Sequence, residues 1–586
     1  MKYFLIGSVS LASVCLYGRT SGQKVSVFVQ SLFSSMQSAG KIVLMLAICN
    51  TSCSKTPEPA ENSSQRNRVV SSQVREQLLE GAISVLGRLD DFDESAAYTQ
   101  VFDRINQWSH AGEVAPQWKV DPLVESLPES LQSFVSQEAI GLTTFDATTD
   151  VVTLRDQRWL ADIASTVPGD AIEELDVAKR LFEWTVRSLA IDTDPPFQSS
   201  PTNPGSRWYL QGEIVLSGRA SPAQRAWIFL ELLRHAGLSG VMLATPSSDR
   251  QGLSKPWIPA LISGGEAYLF DSAYGMPIPG PLGHGIATAR EAFQDPAILQ
   301  QLDLSDRPYS VTALELSSVK ALVCATPASL SRRMAAIDAN LAGGMGIDLA
   351  IDASFVANTA VASLPGEQTP DRGGLWLFPF EVLRNRLERG ELIANTVASE
   401  LAVMTLGFSD ASRGGRPSRS GTQKTIRPLF AARVREFRGD LDGPAGAKSA
   451  YLLARPSEEM IRNFAQRLPP QQAEIFSRLY ERMKQDATYR LGILTLKEKQ
   501  FDAAIDYLER MTLQSTPDGP WNDPARLALA QAMEATGRIQ KAIQLLESDE
   551  SPQRFGSRVE AARLRKIPNI EPKVSDSSPS ALPKGT

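Results

Sequence analysis

The stretch that most constrains the fold is residues 218–244, where a helical pattern is followed at once by an apolar strand pattern. Ser221 suits the cap of this helix, Pro222 suits its first position, and Gly237 suits its end. Apolar residues recur at helical spacing, at Ala226, Phe229, Leu230, Leu233 and Ala236. Residues 241–244 then predict a short buried strand, so the stretch predicts a one-sided helix leading directly into a sheet.

Two further strand-like runs follow this unit. The first begins at Lys255 and carries Trp257, a Gly-Gly pair at 264–265 turns the chain, and the second run ends at Asp271. This order resembles the core of transglutaminase-like and papain-like cysteine enzymes, in which a Cys opens the helix, His-x-Trp lies on one strand and Asp on the next. The resemblance covers roughly residues 150–290. It implies an α+β fold with a transglutaminase-like core, a helix packed on an antiparallel sheet.

The resemblance places the positions of the catalytic triad at Pro222, Lys255 and Asp271. A triad of this type needs a thiolate, an imidazole that exchanges its proton, and a carboxylate that orients the imidazole. Proline has no nucleophile, and lysine carries its charge at neutral pH. We therefore expect a degenerate site without catalytic residues, whose cleft binds a protein or peptide partner. The expected binding residues are aromatic, namely Trp208, Trp257 and Tyr274.

The alternative is an enzyme with a non-standard site, a peptidase, amidase or acyl transferase acting on cell-wall peptide or protein. Ser221 lies one residue from the nucleophile position, and Lys255 is the base that would accompany it, although Ser221 also suits the helix cap. Cys324 is the other candidate nucleophile, and it needs a histidine beside it. A buried apolar cysteine is the competing interpretation. The histidines of the chain are His110, His235 and His284.

The N-terminus has the pattern of an export signal. After Lys41, an apolar run over 42–48 leads to Cys53 and a tether rich in Pro, Glu and Ser. This resembles a bacterial lipoprotein signal, which implies a lipid on Cys53 and an exported protein anchored to the membrane at the periplasmic face of the cell envelope. Cys49 as the acceptor, a plain membrane anchor or cleaved signal peptide, and a start at Met36 are alternatives that the sequence leaves open.

Composition narrows the classes of partner. The net charge of −6 gives no reason to expect nucleic acid. The spacing of His, Asp and Glu predicts no metal site, no phosphate-binding glycine loop is present, and we expect no cofactor. The predicted partners are protein or peptide, with the membrane reached through the lipid anchor.

The C-terminal part repeats with a period of 38 residues. The matching pairs are Phe501 with Ile539, Ala504 with Ala542, and Leu508 with Leu546. This pattern resembles the tetratricopeptide repeat, whose paired helices imply a second surface for protein partners.

These patterns predict seven segments along the chain. They are an export segment (1–53), a flexible tether (54–68), an N-terminal helical region (69–150), the transglutaminase-like domain (151–300), a mixed α/β region with a basic loop from 413 (301–445), a helical repeat region (446–565) and a disordered tail (566–586). Within the mixed region the expected elements are strands at 309–313, 320–326 and 347–354 and a helix at 329–341.

Overall fold

The computed structural model describes residues 63–112, 114–115, 117–191, 208–246, 254–341, 346–409, 425–516 and 519–567. The predicted export segment with Cys53, most of the tether, the tail from 568 onward and the first half of the basic loop lie outside the described residues. The first described helix begins at Ser63, inside the predicted tether.

The first two helices of the N-terminal region form a hairpin. Asp93 caps the second of them by accepting a hydrogen bond from the amide of Ala96 at 3.0 Å. The helices leading into the core are α1 (Ser63–Leu86), α2 (Glu94–His110), α3 (Glu129–Gln132), α4 (Gln137–Ile140), α5 (Asp150–Thr166) and α6 (Glu174–Ser188).

The next helices are α7 (Gln211–Ser217) and α8 (Pro222–His235), and α8 begins and ends where the sequence predicts. Ser221 caps α8 and Pro222 is its first residue. Gly237 follows its end with a φ of +73°, a conformation that glycine adopts without steric cost.

A six-stranded sheet lies beside α8, with strand order β6-β5-β4-β3-β7-β8. Neighbouring strands are antiparallel except β7 and β8, which are parallel. The strands of the chain are β1 (Ala190–Ile191), β2 (Arg219–Ala220), β3 (Ser239–Pro246), β4 (Ser254–Ser263), β5 (Glu266–Asp271), β6 (Met276–Pro277), β7 (Lys320–Val323), β8 (Gly373–Leu375), β9 (Phe408–Ser409) and β10 (Thr425–Ile426). Strands β1 and β2 form a separate parallel pair, and β9 pairs with β10.

Helices α6 and α8 pack on one face of the sheet through three phenylalanines. The ring of Phe182 on α6 lies 5.0 Å from that of Phe229 on α8 and 5.1 Å from that of Phe270 on β5, measured between centroids. All three side chains are buried. A second buried cluster covers the opposite face and includes Val241 and Leu269. The chain is therefore a mixed α/β protein with a helix-covered, largely antiparallel sheet.

The region 301–445 differs from the prediction in two ways. The strands expected at 309–313 and 347–354 are not strands, because Thr312 starts a 3-10 turn and Asp352 caps a helix there. The strand expected at 320–326 is present as β7, which pairs with β3 of the main sheet. Part of this region thus completes the sheet of the preceding segment.

Helices make up most of the remaining described chain. They are α9 (Ala289–Gln294), α10 (Ala297–Gln300), α11 (Arg332–Asn340), α12 (Ala353–Ala362), α13 (Phe378–Glu388), α14 (Gly390–Glu400), α15 (Ala402–Thr405), α16 (Pro428–Phe437), α17 (Ala447–Leu453), α18 (Glu458–Ala465), α19 (Pro470–Lys497), α20 (Phe501–Ile505, continued by a π-helical stretch to Gln514), α21 (Asn522–Ala535), α22 (Ile539–Glu547) and α23 (Arg554–Arg565).

The second half of the basic loop, which the structure describes, forms ion pairs within the fold. Its arginines pair with carboxylates of the chain, Arg427 with Glu94, Arg433 with Glu436, and Arg435 and Arg438 with Asp90. Arg427, Arg435 and Arg438 thus connect α16 and its ends to the N-terminal hairpin, whereas the pair of Arg433 and Glu436 lies within α16.

Candidate functional site

The first predicted triad position is a structural helix start. Pro222 is buried as the first residue of α8. The Ser221 hydroxyl accepts a hydrogen bond from the Gln224 amide at 3.2 Å, and the Gln224 side chain accepts one from the Ser221 amide at 3.0 Å. This capping box satisfies two backbone donors and commits the Ser221 side chain to the helix end.

The second position, Lys255, is exposed near the start of β4, opposite Thr245 of β3. Asp271 ends the neighbouring strand β5 and is buried. Ala260 pairs with Leu269, and continuing that register puts Asp271 beside Ile258 rather than Lys255.

Asp271 organises the turn formed by residues 271–275, here called the Asp271 corner. One carboxylate oxygen accepts hydrogen bonds from the amides of Ala273 and Tyr274, both at 2.8 Å. The other accepts one from the Tyr309 hydroxyl at 2.6 Å. Burial raises the pKa of Asp271, and the same burial together with the Asp271 charge raises the pKa of Tyr309 well above its usual value. The Tyr309 hydroxyl thus donates to the carboxylate that, in a triad, would accept a hydrogen bond from an imidazole.

The aromatic residues predicted to bind a partner fall in two places. The Trp257 indole donates to the Tyr309 hydroxyl at 3.2 Å, and the ring centroid of Tyr309 lies 5.4 Å from that of Tyr274. Trp257 and Tyr274 are therefore joined at the Asp271 corner. Trp208 is buried in the other large core, the one that contains α8. The structure does not bring Trp208 together with the other two, and a role in binding stays a prediction for all three.

Cys324 is buried at the end of β7 and donates to a carboxylate oxygen of Glu231, with the sulfur and oxygen atoms 3.6 Å apart. Burial and the Glu231 charge raise the pKa of this thiol well above its usual value, which disfavours the nucleophilic thiolate. His235 uses its two ring nitrogens elsewhere, on Gln157 at 2.9 Å and on the amide of Asp348 at 3.1 Å. The geometry therefore offers no activated thiol at this position.

Two buried arginines, which sequence reasoning did not single out, converge on the end of α6. Arg225, on the first turn of α8, donates to the carbonyl of Leu189 at 2.6 Å and to that of Ser272 at 3.1 Å. Arg490 of α19 donates to the carbonyl of Ser188 at 3.0 Å. The last carbonyls of a helix lack partners and carry partial negative charge, so they suit cations. Arg225 could have been suspected from the sequence, because it interrupts an otherwise apolar helix face.

The repeat region contacts the same place. The Tyr489 hydroxyl of α19 donates to the carbonyl of Arg187 at 2.8 Å, and the Tyr489 ring stacks on Trp521 at 4.7 Å between centroids. Arg219 donates to the carbonyl of Pro520 at 2.7 Å. The helices of the repeat thus lie against the end of α6 and the start of β1.

The start of α23 reaches the Asp271 corner. The Gln553 side chain accepts from Arg225 at 2.9 Å and donates to the carbonyl of Tyr274. The Phe555 ring stacks on Tyr274 at 6.2 Å between centroids, and a Cβ atom on Gly556 would lie 1.8 Å from the Tyr274 carbonyl oxygen. A small pocket remains at this junction, bounded by the end of α6, β1, α21 and the loop before α23.

Within the repeat region, small residues sit where the helices approach most closely. A Cβ atom on Gly492 of α19 would lie 2.8 Å from a methyl carbon of Leu508. Ala504, Ala530 and Ala542 are buried between helices. Residues 495–564 match the tetratricopeptide repeat family. Repeats of this family commonly mediate protein–protein interaction, which supports protein partners for this chain. No curated protein and no solved structure matches the chain.

The described residues also bear on metal binding and on membrane insertion. They contain no group of three His, Cys, Asp or Glu side chains placed to bind a metal ion. No described helix has the length and apolar character needed to cross a bilayer.

Proposed function

We propose that this chain is a non-catalytic, transglutaminase-like protein of the cell envelope that binds protein or peptide partners. It is exported and held at the membrane by a lipid on Cys53. The observation that carries the proposal is the state of Asp271, whose carboxylate is filled by Tyr309 and two backbone amides. These three hydrogen bonds commit the carboxylate to the turn rather than to orienting a catalytic base.

The likeness to transglutaminase-like enzymes is supported by the architecture around α8. A buried helix precedes antiparallel strands β3, β4 and β5, and its first turn lies next to the end of β5 through the bond from Arg225 to the Ser272 carbonyl. Pro222 is the first residue of α8, where the resemblance expects the nucleophile. Binding is supported by the match of residues 495–564 to a repeat that commonly contacts other proteins.

The enzyme alternative depends on Ser221 or Cys324. The Ser221 hydroxyl is engaged as a helix cap, and the thiol of Cys324 is buried beside a carboxylate. Both contacts weigh against a peptidase, amidase or acyl transferase.

The proposal is tested on the purified full-length chain in two assays. In the first, the chain is incubated with fluorogenic peptide amides, with and without an amine acceptor, beside the variants Ser221→Ala and Cys324→Ser. We expect no turnover above the protein-free rate. Turnover that either variant abolishes refutes the non-catalytic assignment.

The second assay is a selection from a library of displayed peptides, followed by fluorescence anisotropy with the selected peptides in synthetic form. We expect saturable binding of at least one selected sequence. A selection that enriches nothing over the uncoated support refutes the proposal that the chain binds peptides.

A further inference from the structure

The Asp271 corner is a surface already filled by another part of the same chain. At its centre, the Gln553 carboxamide lies between the Arg225 guanidinium and the carbonyls of Ala273 and Tyr274. A guanidinium N–H beside two carbonyl oxygens is complementary to a primary amide, whose oxygen accepts and whose nitrogen donates. The other four hydrogen bonds of Arg225 go to backbone carbonyls, so its orientation does not depend on Gln553.

An aromatic contact lies next to the carboxamide. One face of the Phe555 ring stacks on Tyr274, and the guanidinium carbon of Arg307 lies 4.3 Å from the Phe555 centroid. Stacking on a tyrosine and an arginine over the ring are both favourable for an aromatic side chain. Gly556 lets the helix backbone approach the Tyr274 carbonyl, where a Cβ atom would collide. The surface therefore fits a carboxamide, an aromatic ring two residues later and then a glycine, at the start of a helix.

Helix α23 is divided between two cores. Phe555 and Val559, in its first half, belong to the buried cluster on the face of the sheet opposite α6 and α8. Ala561 and Leu564, in its second half, belong to the core of the repeat. The two halves of α23 are therefore held by different sets of contacts. Asp549 links the residues of this first turn, because its carboxylate accepts hydrogen bonds from the Ser551 amide and the Ser557 hydroxyl.

We propose that the surface formed by Arg225, the carbonyls of Ala273 and Tyr274, the Tyr274 ring and Arg307 is a recognition site for a partner helix that starts with a carboxamide followed, two residues later, by an aromatic ring. The first turn of α23 occupies this site as an internal ligand, and a partner has to displace it. This inference rests on the proposed binding function and names the place and chemistry of recognition. An occupant tethered to its own site acts at an effective concentration of about millimolar, so a partner competes only when its contacts exceed those of the internal turn.

The test uses the full chain and a fluorescein-labelled peptide with the sequence of residues 549–560. The double variant Gln553→Ala/Phe555→Ala, here called the emptied chain, removes both side chains by which the internal turn binds the site and leaves the residues of the site unchanged. We expect this variant to bind the peptide saturably and the wild-type chain to bind at least about tenfold more weakly, because its own turn competes. A control peptide with alanine at the positions of Gln553 and Phe555 should not bind, and Arg307→Ala in the emptied chain should weaken binding.

The inference is overturned if the emptied chain, shown to be folded by circular dichroism, binds the peptide no better than the wild type or binds both peptides equally. Hydrogen exchange on the wild-type chain covers the case in which the double variant does not fold. Excess unlabelled peptide should then speed amide exchange at 554–559 while 561–565 stay protected, and unchanged exchange at saturation refutes the inference. Selected library peptides that bind the wild-type and emptied chains equally would leave the proposed function intact and refute only this site.

Discussion

Replacing Gly218 with alanine tests the convergence of the repeat on the core. Gly218 ends α7 with a φ of +66°, and a Cβ atom there would lie 1.6 Å from a guanidinium nitrogen of Arg490. The same atom would lie 3.1 Å from the Ser188 carbonyl oxygen, which accepts the hydrogen bond of Arg490. Arg490 is buried, so its side chain has little room to move. The added methyl group therefore displaces Arg490 from its partner.

The magnitude follows from two contributions. A left-handed backbone costs a residue with a Cβ atom roughly 1–2 kcal/mol. A lost hydrogen bond from a charged donor costs about 1.5–3 kcal/mol more. We expect Gly218→Ala to lower the free energy of unfolding by about 2.5–5 kcal/mol. Gly237→Ala is the matched control, because Gly237 has a φ of +73° and nothing within 4 Å of the added atom. The Gly237→Ala variant should lose only the part of the free energy of unfolding that comes from the left-handed backbone.

The assay is equilibrium urea unfolding of both variants and the wild type, followed by tryptophan fluorescence and extrapolated linearly to water. The quantity of interest is the difference between the two variants, expected at about 1.5–3 kcal/mol. Equal losses of stability would show that Arg490 does not depend on the space above Gly218. The contact between the repeat and the end of α6 would then be wrong in detail.

Three further predictions concern the buried polar groups. Cys324 should resist iodoacetamide in the folded chain at about pH 8 and react after unfolding, because burial raises the pKa of its thiol. Mass spectrometry of the peptide that contains Cys324 measures the alkylation, and rapid alkylation of the folded chain would contradict the prediction. Burial and nearby arginines lower the pKa of His235 well below its usual value, so the unfolded state takes up the proton first and stability falls as the pH drops below about 6.5. His235→Gln should reduce the fall in melting temperature between about pH 7 and pH 5, unlike His284→Gln in an exposed loop, and equal falls would refute the assignment. Tyr309→Phe removes the hydroxyl that donates to the Asp271 carboxylate and should cost about 1.5–3 kcal/mol in urea unfolding, whereas unchanged stability would mean that Asp271 does not need this bond.

The features that the sequence predicted best are those that depend on residues close together in the chain. The cap at Ser221, the proline at position 222 and the glycine at 237 each act within one turn of α8, and all three lie where expected. The repeat was readable for a similar reason, because Ala504 and Ala542 recur at the same place in two successive helix pairs.

The two wrong strands show the limit of such patterns. Apolar residues at 309–313 and 347–354 are buried or half-buried, as strand residues would be. Their backbone direction is set by Thr312 and Asp352, which cap the helical turns that follow. A short apolar run does not distinguish a strand from an extended segment that leads into a helix. Strand β7 was found, but its pairing with β3 depends on packing between distant parts of the chain and is not encoded in either run alone.

The long-range contacts that build the candidate site were not predicted, for the same reason. Arg225 and Gln553 are separated by 328 positions in sequence and meet only because the repeat folds back on the core. Asp271 was identified through its place at the end of a strand, but its partner Tyr309 lies in one of the two segments predicted wrongly.

Two separate sets of contacts attach the repeat region to the end of α6 and the Asp271 corner. One is made by α19, and the other is made by the first turn of α23 with Arg225. Burial lowers the pKa of Arg225 to about 9, so this guanidinium is still charged at neutral pH and requires the carbonyls around it. Arg490 and Tyr489 bind the carbonyls of Ser188 and Arg187 from α19, a helix that makes none of the contacts of Gln553 or Phe555 with the Asp271 corner. Removing Gln553 takes one acceptor from Arg225 and leaves both α19 bonds in place. The proposed displacement of the first turn of α23 would therefore leave the hydrogen bonds that attach α19 to the end of α6 in place.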